Sequence, residues 1–212
     1  MTTLELMREK WHVDTNRPSP IEVPGVSRWL EFPIMLRDAD FKIGVEVGVE
    51  KGQYSERLCK LIPNLKLYGV DCWSAHRGYR DHVSQVKLDG FYEVARERVK
   101  PYDCTLIRDW SVEAAKRFED GSLDFAYIDA EHDFANVIKD IDAWSPKVRK
   151  GGVVSGHDFI KIKNKRVLHH VAQAVRCWTD CYNIAPWFIL GRRDKISGEP
   201  RDKNRSWMWV KP

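Results

Sequence analysis

The sequence predicts an α/β fold: a doubly wound sheet of seven strands, the last antiparallel, with helices on both faces. Three observations carry this expectation. Short β-branched runs alternate with stretches of helical period from Phe41 onward, and strands alternating with helices imply a parallel sheet covered on both sides. Three glycines at four-residue spacing, Gly44, Gly48 and Gly52, mark the passage from the first of these strands to its helix. The last two strand-like runs have no helix between them, so the final one must turn back antiparallel.

The elements follow in order. Residues 1–40 hold Trp11, Pro18, Pro20, Pro24, Trp29 and Pro33 among charges, which predicts an irregular arm and a short helix around Val26–Leu36, either a lid or a cap on the sheet. The chain divides there into an arm, 1–40, and a main domain, 41–212. Ile43, Val45, Val47 and Val49 alternate with polar or tiny residues, as in a buried strand. Tyr54, Leu58 and Leu61 then share one helical face, which Pro63 stops. Lys66–Asp71 is the second strand. Ala75–His82, with His76, Arg77, Arg80 and His82, reads as a polar loop before a helix marked by Leu88, Phe91, Tyr92, Ala95 and Val99. Cys104–Asp109 is the third strand and Val112–Phe118 a short helix. Leu123–Asp129 is the fourth strand, followed by Val137, Ile138, Ile141, Trp144 and Val148 at helical spacing. Gly151–Asp158 is the fifth strand, and Val167, Val171, Val175 and Trp178 mark a helix after it. Asn183–Leu190 and Trp207–Val210 are the terminal pair. The loop joining them carries six basic residues, Arg192, Arg193, Lys195, Arg201, Lys203 and Arg205.

Composition narrows the class. At 212 residues, 43% apolar and 31% charged, the chain suits one soluble domain with a sizeable core. No apolar run approaches the roughly 20 residues that span a bilayer, and the first ten residues lack the apolar stretch of a signal peptide. Five cysteines form no C-x-x-C pair and leave one over, so they are expected reduced, in the cytoplasm. Cys177 and Cys181, one turn apart, suit packing better than a metal. A net charge of +4 is too small to argue for nucleic acid.

The glycine stretch does not fit G-x-G-x-x-G. Glu46-x-Gly48-x-x-x-Gly52 instead resembles motif I of the class I S-adenosylmethionine-dependent methyltransferases. About 20 residues on, Asp71 ends the next strand, where a βαβ unit places a carboxylate on ribose hydroxyls. The resemblance runs in register over roughly residues 40–212. It is nearest to small bacterial O-methyltransferases of the catechol and macrolide-sugar type, which carry Asp-x-x-His after strand four; here that is Asp129 to His132. It implies a Rossmann-like sheet and S-adenosylmethionine as cofactor. Glu46, Gly48, Gly52, Asp71, Asp109, Trp110, Ser111 and Asp129 are the residues it places around that cofactor, with Ser111 at the adenine edge and Trp110 packing on the ring. It also implies a divalent metal, magnesium, manganese or similar, on Asp129, His157 and Asp158. His157 departs from the relatives' oxygen donors, which tilts the site toward borderline ions or toward none. For the catalytic base the resemblance implies either His132, where catechol-type relatives carry a basic residue, or Glu131, where sugar-type relatives carry a carboxylate.

The residues also permit plainer roles. Asp133 is a good N-cap for the following helix, and Glu131 suits the helix dipole. Lys161, Lys163, Lys165 and Arg166 follow Asp158 directly, as a solvated loop or as the rim of a site for an anionic acceptor. The expected acceptor is a hydroxyl on a small molecule or glycan, and a homodimer is allowed. Metal-independent N-methylation and a cofactor-binding module without transferase activity stand as alternatives. A nucleic-acid acceptor ranks below them, because neither the Asp/Asn-Pro-Pro-Tyr/Phe signature nor a Pro-Cys nucleophile is present.

Overall fold

The computed structural model describes residues 1–76, 84–160, 168–191 and 204–212. Its strands are β1 (Ile21–Pro24), β2 (Ile43–Val47), β3 (Lys66–Asp71), β4 (Cys104–Arg108), β5 (Leu123–Ile128), β6 (Val148–Gly156), β7 (Trp187–Gly191) and β8 (Ser206–Val210). They form one sheet in the order β1-β7-β8-β6-β5-β2-β3-β4. Among the described residues only β8 runs against the rest: it pairs antiparallel with β6 and with β7, while the other ladders are parallel. The reversed last strand is as expected.

Among the described residues the strands number eight rather than seven. The extra strand is β1, inside the stretch expected to be an irregular arm. It lies on the sheet edge beside β7, pairing Ile21 with Phe188 and Val23 with Leu190. An edge strand tolerates proline because one side needs no ladder donor. Two inward apolar residues, Ile21 and Val23, are too short a pattern to stand out among Pro18, Pro20 and Pro24. The same segment holds two helices, α1 (Thr3–Trp11) and α2 (Glu31–Asp38).

The remaining helices are α3 (Gln53–Leu61), α4 (Gln85–Val99), α5 (Ser111–Ala115), α6 (Phe134–Trp144) and α7 (Val171–Cys181). Alternation along each strand sends successive side chains to opposite faces. In β5, Phe125 and Tyr127 join Met7, Phe32, Leu36, Tyr54 and Leu58 under α1, α2 and α3. Ala126 and Ile128 join Ala114, Val137, Ile141, Trp144, Val171 and Val175 under α5, α6 and α7. In β8, Met208 faces the first group and Trp207 and Trp209 the second. All of these side chains are buried, and at roughly 1.5–3 kcal/mol for a large apolar side chain they supply most of the driving force for the fold.

β2 pairs with β3 on one side and β5 on the other. The winding direction reverses between β2 and β5, and open α/β sheets bind ligands beyond the carboxyl ends of the strands at that point. No helix among the described residues is long and apolar enough to cross a membrane.

Candidate active site

The loop after β2 is shaped by two glycines with positive φ, +93° at Gly48 and +71° at Gly52. A Cβ on Gly48 would stand 2.1 Å from the Asp129 carbonyl oxygen, so only glycine lets the two strand ends at the switch point approach. Gly52 is the N-cap of α3 and offers no side chain there. Glu46 is 2% exposed and takes a hydrogen bond from the buried Ser55 hydroxyl. Burial lifts its carboxyl to about 8 against the pull of Ser55 and Arg28. Asp71 holds the loop from β3: its Oδ2 accepts from the amides of Val49 (3.0 Å) and Glu50 (2.9 Å), and its Oδ1 from Trp73 (2.9 Å). Burial raises its pKa while these three amides oppose the rise. Ionised, the group has about four acceptor positions, so capacity remains for a further donor.

At the end of β4, Asp109 accepts from the Trp110 amide at 2.8 Å and pairs with Arg117. Trp110 is 47% exposed, with the His76 ring edge-on at 4.9 Å between centroids. The Ser111 hydroxyl is turned inward, accepting from the buried Trp144 indole at 2.9 Å. Beside it, burial pushes Asp140 up to about 7.

The polar cluster forms where β5 and β6 end. Asp129 Oδ2 pairs with Arg28 Nη1 at 2.7 Å, and Arg28 lies over the rings of Trp29 and Tyr54. His157 Nδ1 stands 3.1 Å from Asp158 Oδ1 and 3.8 Å from Asp129 Oδ2. His132 Nε2 lies 2.8 Å from Asp158 Oδ2 and 3.9 Å from Asp129 Oδ1. Asn204 completes the group: its side-chain amide donates to Asp158 Oδ1, and its backbone carbonyl oxygen is 3.1 Å from His157 Nε2. Burial opposes the charged form of both carboxylates, yet His132 and His157 hold Asp129 and Asp158 below their ordinary range, with Arg28 adding to the effect at Asp129. Burial also opposes the His132 imidazolium, but the two carboxylates overcome it and raise that ring to about 10.

Glu131 faces elsewhere. One oxygen is 2.9 Å from His76 Nε2 and the other accepts from Asn136. Asp133 caps α6, accepting from the amides of Ala135 (3.1 Å) and Asn136 (3.3 Å). Asp129, His132, His157 and Asp158 thus meet in one cluster, with Glu131 at its border toward the Trp110 side.

Three members of this cluster escaped sequence reading. Arg28 comes from the proline-rich segment, 101 residues before its partner, and nothing local marks it. Asn204 precedes β8, and His169, whose ring stacks on that of His132, precedes α7 in a run with His170. Lys161, Lys163, Lys165 and Arg166, with Arg77, Arg80, His82 and most of the basic loop before Asn204, lie outside the described residues.

Asp129, His157 and Asp158 bring one donor atom each within 4.8 Å of one another. A carbonyl oxygen only accepts, so the His157 nitrogen facing Asn204 carries its proton and the other faces two carboxylates. Either a proton or a cation must lie between those acceptors. Two carboxylates and an imidazole fit a borderline divalent ion.

The family described as a methyltransferase domain matches residues 45–159. Among curated proteins no sequence matches. Among solved structures, the chain is similar to an O-methyltransferase from Bacillus cereus in complex with S-adenosylhomocysteine (14% identity, 99% of this chain and 90% of that one, TM-score 0.60). It is likewise similar to a putative caffeoyl-CoA O-methyltransferase from Staphylococcus aureus (14% identity, 100% and 93%, TM-score 0.61). A third is the O-methyltransferase TomG from Streptomyces achromogenes, in complex with S-adenosylmethionine (13% identity, 99% and 88%, TM-score 0.59). At these identities the likeness is one of fold.

Proposed function

The chain belongs to the methyltransferase-domain family, and from that premise we propose that it moves the methyl group of S-adenosylmethionine to a hydroxyl oxygen of a small molecule, with His132 taking the acceptor's proton. The observation that carries this reading is the cluster of His132, Asp129, His157 and Asp158 at the carboxyl ends of β5 and β6, against the loop that Gly48 and Asp71 shape.

Methyl transfer is an in-line displacement at an already activated sulfonium, so the protein aligns the reactants and removes a proton. Asp71 is the group for the ribose hydroxyls, and the amides of the Gly48–Gly52 loop with the start of α3 suit the cofactor's carboxylate. Asp109 and Trp110 border the adenine. The inward turn of the Ser111 hydroxyl leaves the backbone of that residue for the ring edge. His132 between two carboxylates is a strong base that holds its proton at neutral pH. Positive charge brought in by the sulfonium offsets the carboxylates and moves the ring back toward the range where it can accept a proton. A divalent ion on Asp129, His157 and Asp158 would supply Lewis acidity toward the acceptor hydroxyl.

A glycan or otherwise anionic acceptor finds its support in the sequence alone, at Lys161, Lys163, Lys165 and Arg166. The five free thiols suit a reducing cytoplasm. A second reading has a specific observation in its favour: Arg28 already gives Asp129 a cation, which suits a metal-free transfer to an amine. Incubating the purified protein with S-adenosylmethionine and a panel of hydroxyl and amine acceptors, with and without chelator, separates the two by product mass. Turnover of phenols or sugars that stops in chelator supports the first. Full turnover of amines in excess chelator eliminates it.

A further inference from the structure

A second cluster shares Asp158 with the first. His132, Asp158 and His169 also bring one donor atom each within 4.8 Å of one another. The two oxygens of Asp158 are divided between the clusters, Oδ1 toward His157 at 3.1 Å and Oδ2 toward His132 at 2.8 Å. His169 is 9% exposed, and its ring stacks on that of His132 with centroids 5.0 Å apart and planes at 23°. Neither of its ring nitrogens has a hydrogen-bond partner among the described residues. A buried imidazole with both nitrogens unsatisfied costs stability and calls for a ligand.

We propose that His132, Asp158 and His169 form a second divalent-cation site, joined to the first through the Asp158 carboxylate. Two imidazoles and one carboxylate select zinc or cobalt over magnesium and calcium, which prefer oxygen. Three protein donors leave a coordination position open. Bonds near 2.1 Å put tetrahedral ligands roughly 3.4 Å apart, so an ion would draw the wider of these contacts inward, which rotation of the His169 side chain supplies. Such an ion takes His132 out of proton transfer. Zinc is then an inhibitor that acts through His169, a consequence that rests on the proposed role of His132, whereas the binding itself does not.

The test is a zinc titration of the ¹⁵N-labelled full chain, following the imidazole resonances. In the wild type His132 and His169 are expected to shift together. Zinc affinity in His169→Gln should fall at least about tenfold, no less than loss of an outer partner typically costs. The fold of that variant is checked by its S-adenosylhomocysteine-induced rise in Tm. A wild-type His169 ring that stays unmoved while zinc binds elsewhere overturns the site, whether or not the variant folds, and so does equal zinc affinity in His169→Gln. A companion assay follows methyl transfer at rising zinc, relative to each protein's rate before zinc. Inhibition in the wild type that His169→Gln relieves supports the whole proposal. Zinc on His169 without inhibition supports the site and removes His132 from proton chemistry.

Discussion

The two halves of the proposed site are built from different material. On the cofactor side, between Glu46 and Trp73, backbone does the shaping: two positive-φ glycines, a helix start, and one carboxylate held by three amides. On the acceptor side, around Asp129 and Asp158, side chains from four separate stretches pair with one another. Backbone-built sites are local. Side-chain-built sites are assembled across the chain, and removing one charge leaves its partner buried and unpaired. The acceptor half should therefore be the more fragile under single substitutions.

The largest expected effect is in chemistry. Asp158→Ala should lower turnover by about 10²–10⁴, the range of a lost acid–base or positioning group. The affinity for S-adenosylhomocysteine, measured by calorimetry, should stay within about threefold. Comparable losses in both would erase the division between the halves. Next is Arg28→Met, which takes the guanidinium from the partly buried Asp129 and should cost about 1.5–3 kcal/mol in chemical unfolding. If Asp129 is a metal ligand, manganese should raise the Tm of this variant more than that of the wild type; equal shifts would argue that Asp129 serves Arg28 alone.

The cofactor half should yield less. Asp71→Asn keeps the shape but loses the charge that strengthens the ribose hydrogen bonds, each worth roughly 1.5–3 kcal/mol when ionised. S-adenosylhomocysteine should bind about ten- to a hundredfold more weakly, with acceptor KM little changed. Unaltered cofactor affinity would leave Asp71 as a loop brace only. The last effect concerns pH. Glu46 is raised from its ordinary value of 4.5 to about 8, so the folded chain holds a proton that the unfolded chain releases between those values. Stability from this group is greatest at low pH and falls as pH rises through that window, by up to about 1.4 kcal/mol per pH unit. Glu46→Gln should flatten the slope of unfolding free energy between pH 5 and 8, roughly; an unchanged slope would show that Glu46 is ionised throughout.

The same contrast explains what could be read from the sequence. Ile43 to Asp71 announces itself because strand, glycine turn, helix and acid follow within one βαβ unit. Asp129, His157 and Asp158 were legible as residues at strand ends, since parallel strands bring their carboxyl ends to one edge. Arg28 was not, because its partner is a product of tertiary packing: the rings of Trp29 and Tyr54 set the guanidinium in place. His169 and Asn204 are silent for the same reason. Strand β1 went unread because its two inward residues gain meaning only beside Phe188 and Leu190.

Gly48 links what the comparison separates. Its missing Cβ is the clearance for the Asp129 carbonyl, so the glycine assigned to the cofactor loop also sets the height of the acceptor carboxylate. A genetic screen would score substitutions at position 48 as double defects. Gly48→Ala should weaken S-adenosylhomocysteine binding and, at saturating cofactor, still slow the single-turnover rate. Inactivity at this position is therefore poor evidence of a cofactor role, and directed evolution toward new acceptors has reason to leave it untouched.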